Sequence, residues 1–224
     1  MVKLFVAVAL LTVSYACKDA DYSNPMDEDF YQGLRFEYNE ESNLTTVGAI
    51  FRLGTKDGEK VRLSPPAFLL INGDICSDYD ETKEYPYSVI FESRLPEAVI
   101  NFTDFKERIF ANNVKLDSLE NVGELVVNTD RKDKTVTVSF TGEKQSNSET
   151  ITLVIIYEDS EYKYDVQPEG NNSITLDSDI ASLYSGKEIG IKIVRVKSVK
   201  LNNVSSAGGD LQLVYTSRER RVQL

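Results

Sequence analysis

From Phe30 onward the apolar residues of this chain recur at every second position, and that period limits what it can fold into. Leu34-Arg35-Phe36-Glu37-Tyr38 alternates, and so does Thr135-Val136-Thr137-Val138-Ser139-Phe140. Side chains of a strand point to opposite faces in turn, so a period of two specifies half-buried strands rather than helices. Strands are expected at residues 34–38, 47–53, 60–63, 67–71, 85–95, 99–103 and 108–111. They are expected again at 125–127, 135–140, 150–157, 162–166, 174–176, 189–196 and 211–215. Asn72-Gly73 follows the run at 67–71 and supplies the positive φ values that a tight hairpin needs. Short strands at this spacing, with turn chemistry between them, have the rhythm of a β-sandwich.

The predicted fold class is therefore all-β: immunoglobulin-like β-sandwiches, two in tandem, with one short helical crossover. The boundary is placed in the polar stretch 112–121, giving one sandwich at residues 30–115 and a second at 116–224. A single larger sandwich is the alternative. The helical crossover is read at residues 177–186, where Asp or Ser can cap the start and Gly186 stops the turn. Gly208-Gly209 reads as a hairpin bend, because it lacks the Lys and Ser or Thr of a phosphate loop. The basic end, Arg218 to Arg221, reads as the charged face of an edge strand.

The first residues are an address. Met1-Val2-Lys3 is a basic start, residues 4–13 are apolar or small without a charge, and Ser14-Tyr15-Ala16-Cys17 closes the segment. Ten residues are too few to span a bilayer as a helix, and the pattern is that of a signal peptide over residues 1–16. Residues 17–29 then form an acidic tether that cannot bury enough surface to offset its ordering entropy. The chain has two cysteines, Cys17 and Cys76. Either Cys17 is lipidated and Cys76 is a small buried hydrophobe, or the two form a disulfide in a secreted protein. Lipidation is the reading adopted, because an anchor followed by a solvated spacer is physically coherent. Asn-x-Ser/Thr sequons at Asn43, Asn101, Asn171 and Asn203 carry little weight in so Asn- and Ser-rich a chain.

These features resemble the small secreted lipoproteins of Gram-negative bacteria that carry immunoglobulin-like sandwiches. The resemblance rests on Ser14 to Cys17 with Lys18-Asp19, on Leu63 with Phe68 to Gly73, and on Ile174 to Leu176 with Leu183 to Gly186, Ile193 to Arg195, Gly208-Gly209 and Tyr215. It implies a fold and an address: a lipid at Cys17, and the bacterial outer membrane or cell surface. A secreted, extracellular protein is the alternative. The resemblance implies no activity, since sandwiches host many functions.

Composition then excludes whole classes of chemistry. Without His, neither Ser-His-Asp nor Cys-His catalysis is open to the chain, nor is a His-ligated metal. A net charge of −11 argues against nucleic acid as a partner. A carboxylate-based hydrolase is conceivable but nothing selects two of the 36 acidic residues. The expectation is a binding or structural module, not an enzyme, with no cofactor. Its partners are the membrane, through the N-terminal lipid, and a protein or glycan ligand; an adhesin or carbohydrate-binding accessory protein is the alternative. Two local candidates stand out. Asp74, Asp78 and Asp80 could offer oxygen ligands to Ca²⁺, against a bland reading as a solvated acidic loop. Tyr79, Tyr85 and Tyr87 lie close together beside that loop and could form a rigid aromatic contact, against a bland reading as core.

Overall fold

The computed structural model describes residues 29–116, 125–130, 135–141, 149–166, 172–176 and 178–224. Among them are fifteen strands and one helix, so the all-β expectation holds with a single short crossover. The first half contributes β1 (Phe30–Asn39), β2 (Leu44–Leu53), β3 (Phe68–Ile71), β4 (Asp74–Ile75), β5 (Tyr87–Phe91), β6 (Glu97–Thr103) and β7 (Ile109–Lys115). The second contributes β8 (Leu125–Asp130), β9 (Thr135–Phe140), β10 (Glu149–Tyr157), β11 (Ser160–Val166), β12 (Ser173–Leu176), α1 (Ser178–Leu183), β13 (Glu188–Lys200), β14 (Gly209–Thr216) and β15 (Arg220–Gln223).

One eight-stranded sheet runs in the order β11-β10-β13-β14-β1-β2-β5, with β15 also paired to β13. Two smaller sheets accompany it, β4-β3-β6-β7 and β12-β9-β8. The predicted boundary at 115/116 thus leaves each half a small sheet of its own, while the long sheet is common to both. The joint is the parallel pair β1–β14, in register from Gln32 with Gly209 to Asn39 with Thr216. Gly209 is needed there: a Cβ would stand 2.7 Å from the Gln32 carbonyl oxygen.

Alternation decides which face is buried. Leu34 and Phe36 of β1 share one face with Ala49 and Val47 of β2 and with Leu211 and Leu213 of β14, and all are buried. The four-stranded sheet covers this end of the long sheet with rings. Phe102 stacks on Phe51 at 4.2 Å and on Phe110 at 5.9 Å, and meets Phe30 edge-on at 6.3 Å. The other end is aliphatic: Ile151, Leu153 and Ile155 of β10 and Ile189, Ile191 and Ile193 of β13 are buried in one cluster with Val136, Val138, Ile174 and Leu176. Further along the same face of β13 the apolar series gives way to Arg195, 1% exposed, whose Nη2 donates to Glu149 Oε2 at 2.6 Å. Lys197 Nζ lies 3.7 Å from the same carboxylate.

Local departures from expectation have local causes. Residues 60–63 form no strand, only a bridge from Lys60 to Arg52, because Pro65 and Pro66 follow and cannot donate to a ladder. The strand expected at 85–95 shrinks to β5, trimmed by Pro86 and Pro96. The turn at Asn72-Gly73 is as expected, with φ of 53° and 91° joining β3 to β4. The basic end is an edge strand, β15, paired to Glu188–Ile191. Residues 1–16, the tether up to residue 28 with Cys17, and Asp177 lie outside the described residues.

Candidate functional site

The three tyrosines singled out in the sequence do not form one exposed surface. Tyr87 is buried, its ring edge-on to Phe51 at 5.9 Å, and its hydroxyl accepts the Leu63 N–H at 2.6 Å. Burial raises its pKa. Tyr79 packs edge-on against Tyr87 at 5.2 Å, with the Arg62 guanidinium 5.6 Å from its ring centre. Tyr85 takes the opposite side of the long sheet. Its Cβ would be 2.9 Å from a Cβ on Gly48, whose neighbours Val47 and Ala49 face the core. Strict alternation would put Tyr85 with Tyr87, but β5 begins only at Tyr87. Tyr85 is half-buried under Arg35, 5.7 Å from the ring centre, and burial pushes its hydroxyl up to about 12.

The aspartates are equally dispersed. Asp74 is exposed on the short edge strand β4. Asp78 lies in the following loop, where its charge, after burial, helps raise the pKa of the Cys76 thiol. The Asp80 carboxylate accepts hydrogen bonds from Thr82 N and Thr82 Oγ1, at 3.1 and 2.6 Å, which lower its pKa, and Lys83 Nζ lies 3.8 Å away. Asp80 thus serves its own turn. Among the described residues no group of three or more carboxylates or thiols is placed to hold a metal ion.

Two surfaces that the sequence reading missed are better formed. The first is a cleft of about 570 Å³ at the aliphatic end. Thr129 and Asp130 of β8, Val136 of β9, Ala181 and Ser182 of α1, Ser185 and Gly186 after it, and Leu224 make its walls. Beside it, the turn after α1 places the buried Tyr184 in a tyrosine cluster. Tyr157 and Tyr162 meet that ring edge-on at 5.9 and 6.2 Å, and Tyr164 shares a hydrogen bond with its hydroxyl. Burial and that bond raise the Tyr184 pKa. The Lys187 ammonium stands 4.4 Å from the Tyr157 ring centre, and Tyr162 is 43% exposed. The signal available in the sequence was Tyr162-Lys163-Tyr164, two rings on one face of a strand whose other neighbours are charged.

The second surface is the outer face of the four-stranded sheet. Alternation turns Leu69, Ile71, Ile100, Phe102 and Phe110 inward, and so turns Phe68, Leu70, Val99 and Ile109 outward. Ile75 of β4 pairs with Leu70, and Phe68, Thr103 and Ile109 form one row across β3, β6 and β7. Ile75 is 71% exposed and Ile109 66%.

No family model matches the chain, and no curated protein does. Among solved structures it is similar to the chicken interferon gamma receptor alpha chain, at 9% identity over 88% of this chain and 98% of that one, with a TM-score of 0.28. It is also similar to a Ca²⁺-stabilized ice-binding adhesin of an Antarctic bacterium, at 15% identity and a TM-score of 0.24, over 84% of this chain and 48% of that one. A 1.5-MDa bacterial ice-binding adhesin matches at 15% identity and a TM-score of 0.20, over 84% of this chain and 64% of that one. At such scores the fold assignment rests on the sheet topology alone.

Proposed function

We propose that the protein is a lipid-anchored binding module of the bacterial outer membrane or cell surface, holding a glycan at the α1 cleft and the tyrosines beside it. The observation that carries the ligand site is a cleft lined in part by Thr129, Asp130, Ser182 and Ser185, next in the chain to Tyr184 and its tyrosine cluster. A sugar offers hydroxyl groups that exchange hydrogen bonds with Thr129, Ser182, Ser185 and Asp130, and C–H faces that pack on the Tyr162 ring. The role is binding, not turnover. The anchor is supported by Cys76. It is free, 6% exposed and tied into the core by its N–H to Leu69 O, and burial raises its pKa away from the reactive thiolate. A disulfide to Cys17 would have to reach a sulfur packed in that core.

The chain has twelve Tyr and no Trp, and four of the twelve, Tyr157, Tyr162, Tyr164 and Tyr184, form the cluster, so a share of the tyrosine emission reports on it. Titration with a panel of bacterial and host polysaccharides should quench it on binding. Ser182→Phe, which fills the cleft, should abolish the response, and Tyr162→Ala should weaken affinity about tenfold. If no polysaccharide binds, or if Ser182→Phe binds as well as the parent, the site assignment fails. Intact mass of the mature chain tests the anchor separately: acyl mass on Cys17 is expected, and an unmodified or disulfide-bonded Cys17 would overturn it.

A further inference from the structure

We propose that the outer face of the four-stranded sheet lies against the bilayer, a second attachment that sets the orientation of the whole protein. The inference rests on the lipid anchor at Cys17. Three observations carry it. The first is the chemistry of the face: Phe68, Leu70, Ile75, Val99 and Ile109 point away from the core, with Asn101 among them and Asn113 and the Glu97–Lys115 ion pair at the far end. This is not the default for an outer sheet face in this protein. The matching face of β12-β9-β8 presents Thr135, Thr137, Ser139, Ser173 and Thr175, together with Val126, Asn128 and Asp130 of β8, and so one large apolar side chain among polar ones.

The second is where the chain joins the sheet. Asp29, which opens the described chain, pairs with Arg108 Nη2 at 2.6 Å and lies 3.9 Å from Lys106 Nζ. Both cations belong to the β6–β7 turn, directly before Ile109. Twelve residue steps separate Cys17 from Asp29. Their contour is at most about 40 Å. A lipid on Cys17 therefore keeps the row Phe68–Thr103–Ile109 within reach of the bilayer surface.

The third is size. Strands of two, four, seven and seven residues make a face of roughly 300 Å². Two copies packed face to face would bury only about 600 Å² in total, below the roughly 1,200 Å² at which stable protein interfaces begin. A lipid surface sets no such threshold once the anchor has removed most of the cost of association.

The test uses the lipidated mature chain in vesicles of phosphatidylethanolamine and phosphatidylglycerol. A nitroxide is placed at Ala111→Cys, on the face, or at Lys163→Cys on β11, with the buried Cys76 unlabelled. The Ala111 label should gain oxygen accessibility and lose accessibility to a water-soluble nickel complex, while the Lys163 label stays water-like. Adding Ile75→Glu and Ile109→Glu should return the Ala111 label to water-like values without releasing the protein from vesicles. Both positions are exposed, and an unchanged melt of the variant confirms that the fold survives. Equal, water-like accessibility at both labels would overturn the placement. So would concentration-dependent burial of the Ala111 label in detergent without a bilayer, which would mean a second copy. An intact mass without lipid on Cys17 would remove the premise, an outcome read apart from the labels.

Discussion

Two small sheets cover the same side of one long sheet, and they differ on both of their faces. The sheet β4-β3-β6-β7 meets the long sheet with rings, through Phe102, Phe110, Phe51 and Phe30, and turns Ile75, Phe68 and Ile109 outward. The sheet β12-β9-β8 meets it with Val136, Val138, Ile174 and Leu176, and turns hydroxyl side chains outward. Inward faces of both kinds bury apolar side chains against the long sheet. The outward faces are free of that demand, and their contrast is what the two proposed contacts, bilayer and polar ligand, would use.

The largest expected effect tests whether the two ends are one folding unit. Phe102 touches Phe30, Phe51 and Phe110, so Phe102→Ala removes a ring at the centre of the aromatic layer and should cost about 4 kcal/mol. Because β1 pairs in register with β14, that loss should lower the melting temperature of the whole chain in one transition. Calorimetry would show it. Two separated transitions, with the aliphatic end melting as in the parent, would mean that the shared sheet does not couple the ends.

A smaller effect is expected at the charged stretch of β13, which neither layer resembles. Arg195 is 1% exposed and bonded to Glu149, on the face where Ile189, Ile191 and Ile193 precede it. Glu149→Ala would leave a buried guanidinium beside Lys197 with its main counter-charge gone, at a cost of about 3 kcal/mol. Replacing both partners, as Glu149→Leu with Arg195→Met, should restore most of that loss, because neither charge is then left unpaired. Denaturant midpoints of the single and double variants check this. A double variant as unstable as the single one would show that the pair has a role beyond neutralising itself.

What the sequence made legible was period and punctuation. Alternation found nearly every strand, and Asn72-Gly73 marked its hairpin, because both signals are local. The pairing of β1 with β14 was not legible: it joins residues some 180 positions apart, and Gly209, which permits it, looks like any bend. The candidate tyrosines are parted for a related reason. Tyr79, Tyr85 and Tyr87 are neighbours in sequence, but Tyr87 completes the aromatic core and Tyr85 lies across the sheet. The tyrosines that do gather come from β10, β11 and the turn after α1, and only the fold assembles them.

The smallest effect sharpens the contrast at the point where the aromatic end begins. Asp29 holds two segments together: its carboxylate pairs with Arg108 of the β6–β7 turn and accepts a hydrogen bond from the Ser206 hydroxyl in the loop before β14. Those bonds, Ser206 first and Arg108 next, hold its pKa at about 2 against an ordinary 3.8. A carboxyl whose folded pKa is depressed adds stability above its unfolded pKa and loses it as the folded pKa is passed on acidification. Asp29 should therefore contribute fully above pH of about 4 and nothing below about 2. The carboxylate is 21% exposed, and solvent screening reduces the contribution to about 1 kcal/mol. The melting temperatures of the parent and of Asp29→Asn, compared between pH of about 2 and 6, should differ at the upper end and converge at the lower. Parallel curves would mean that Ser206 and Arg108 hold the carboxyl no differently from water.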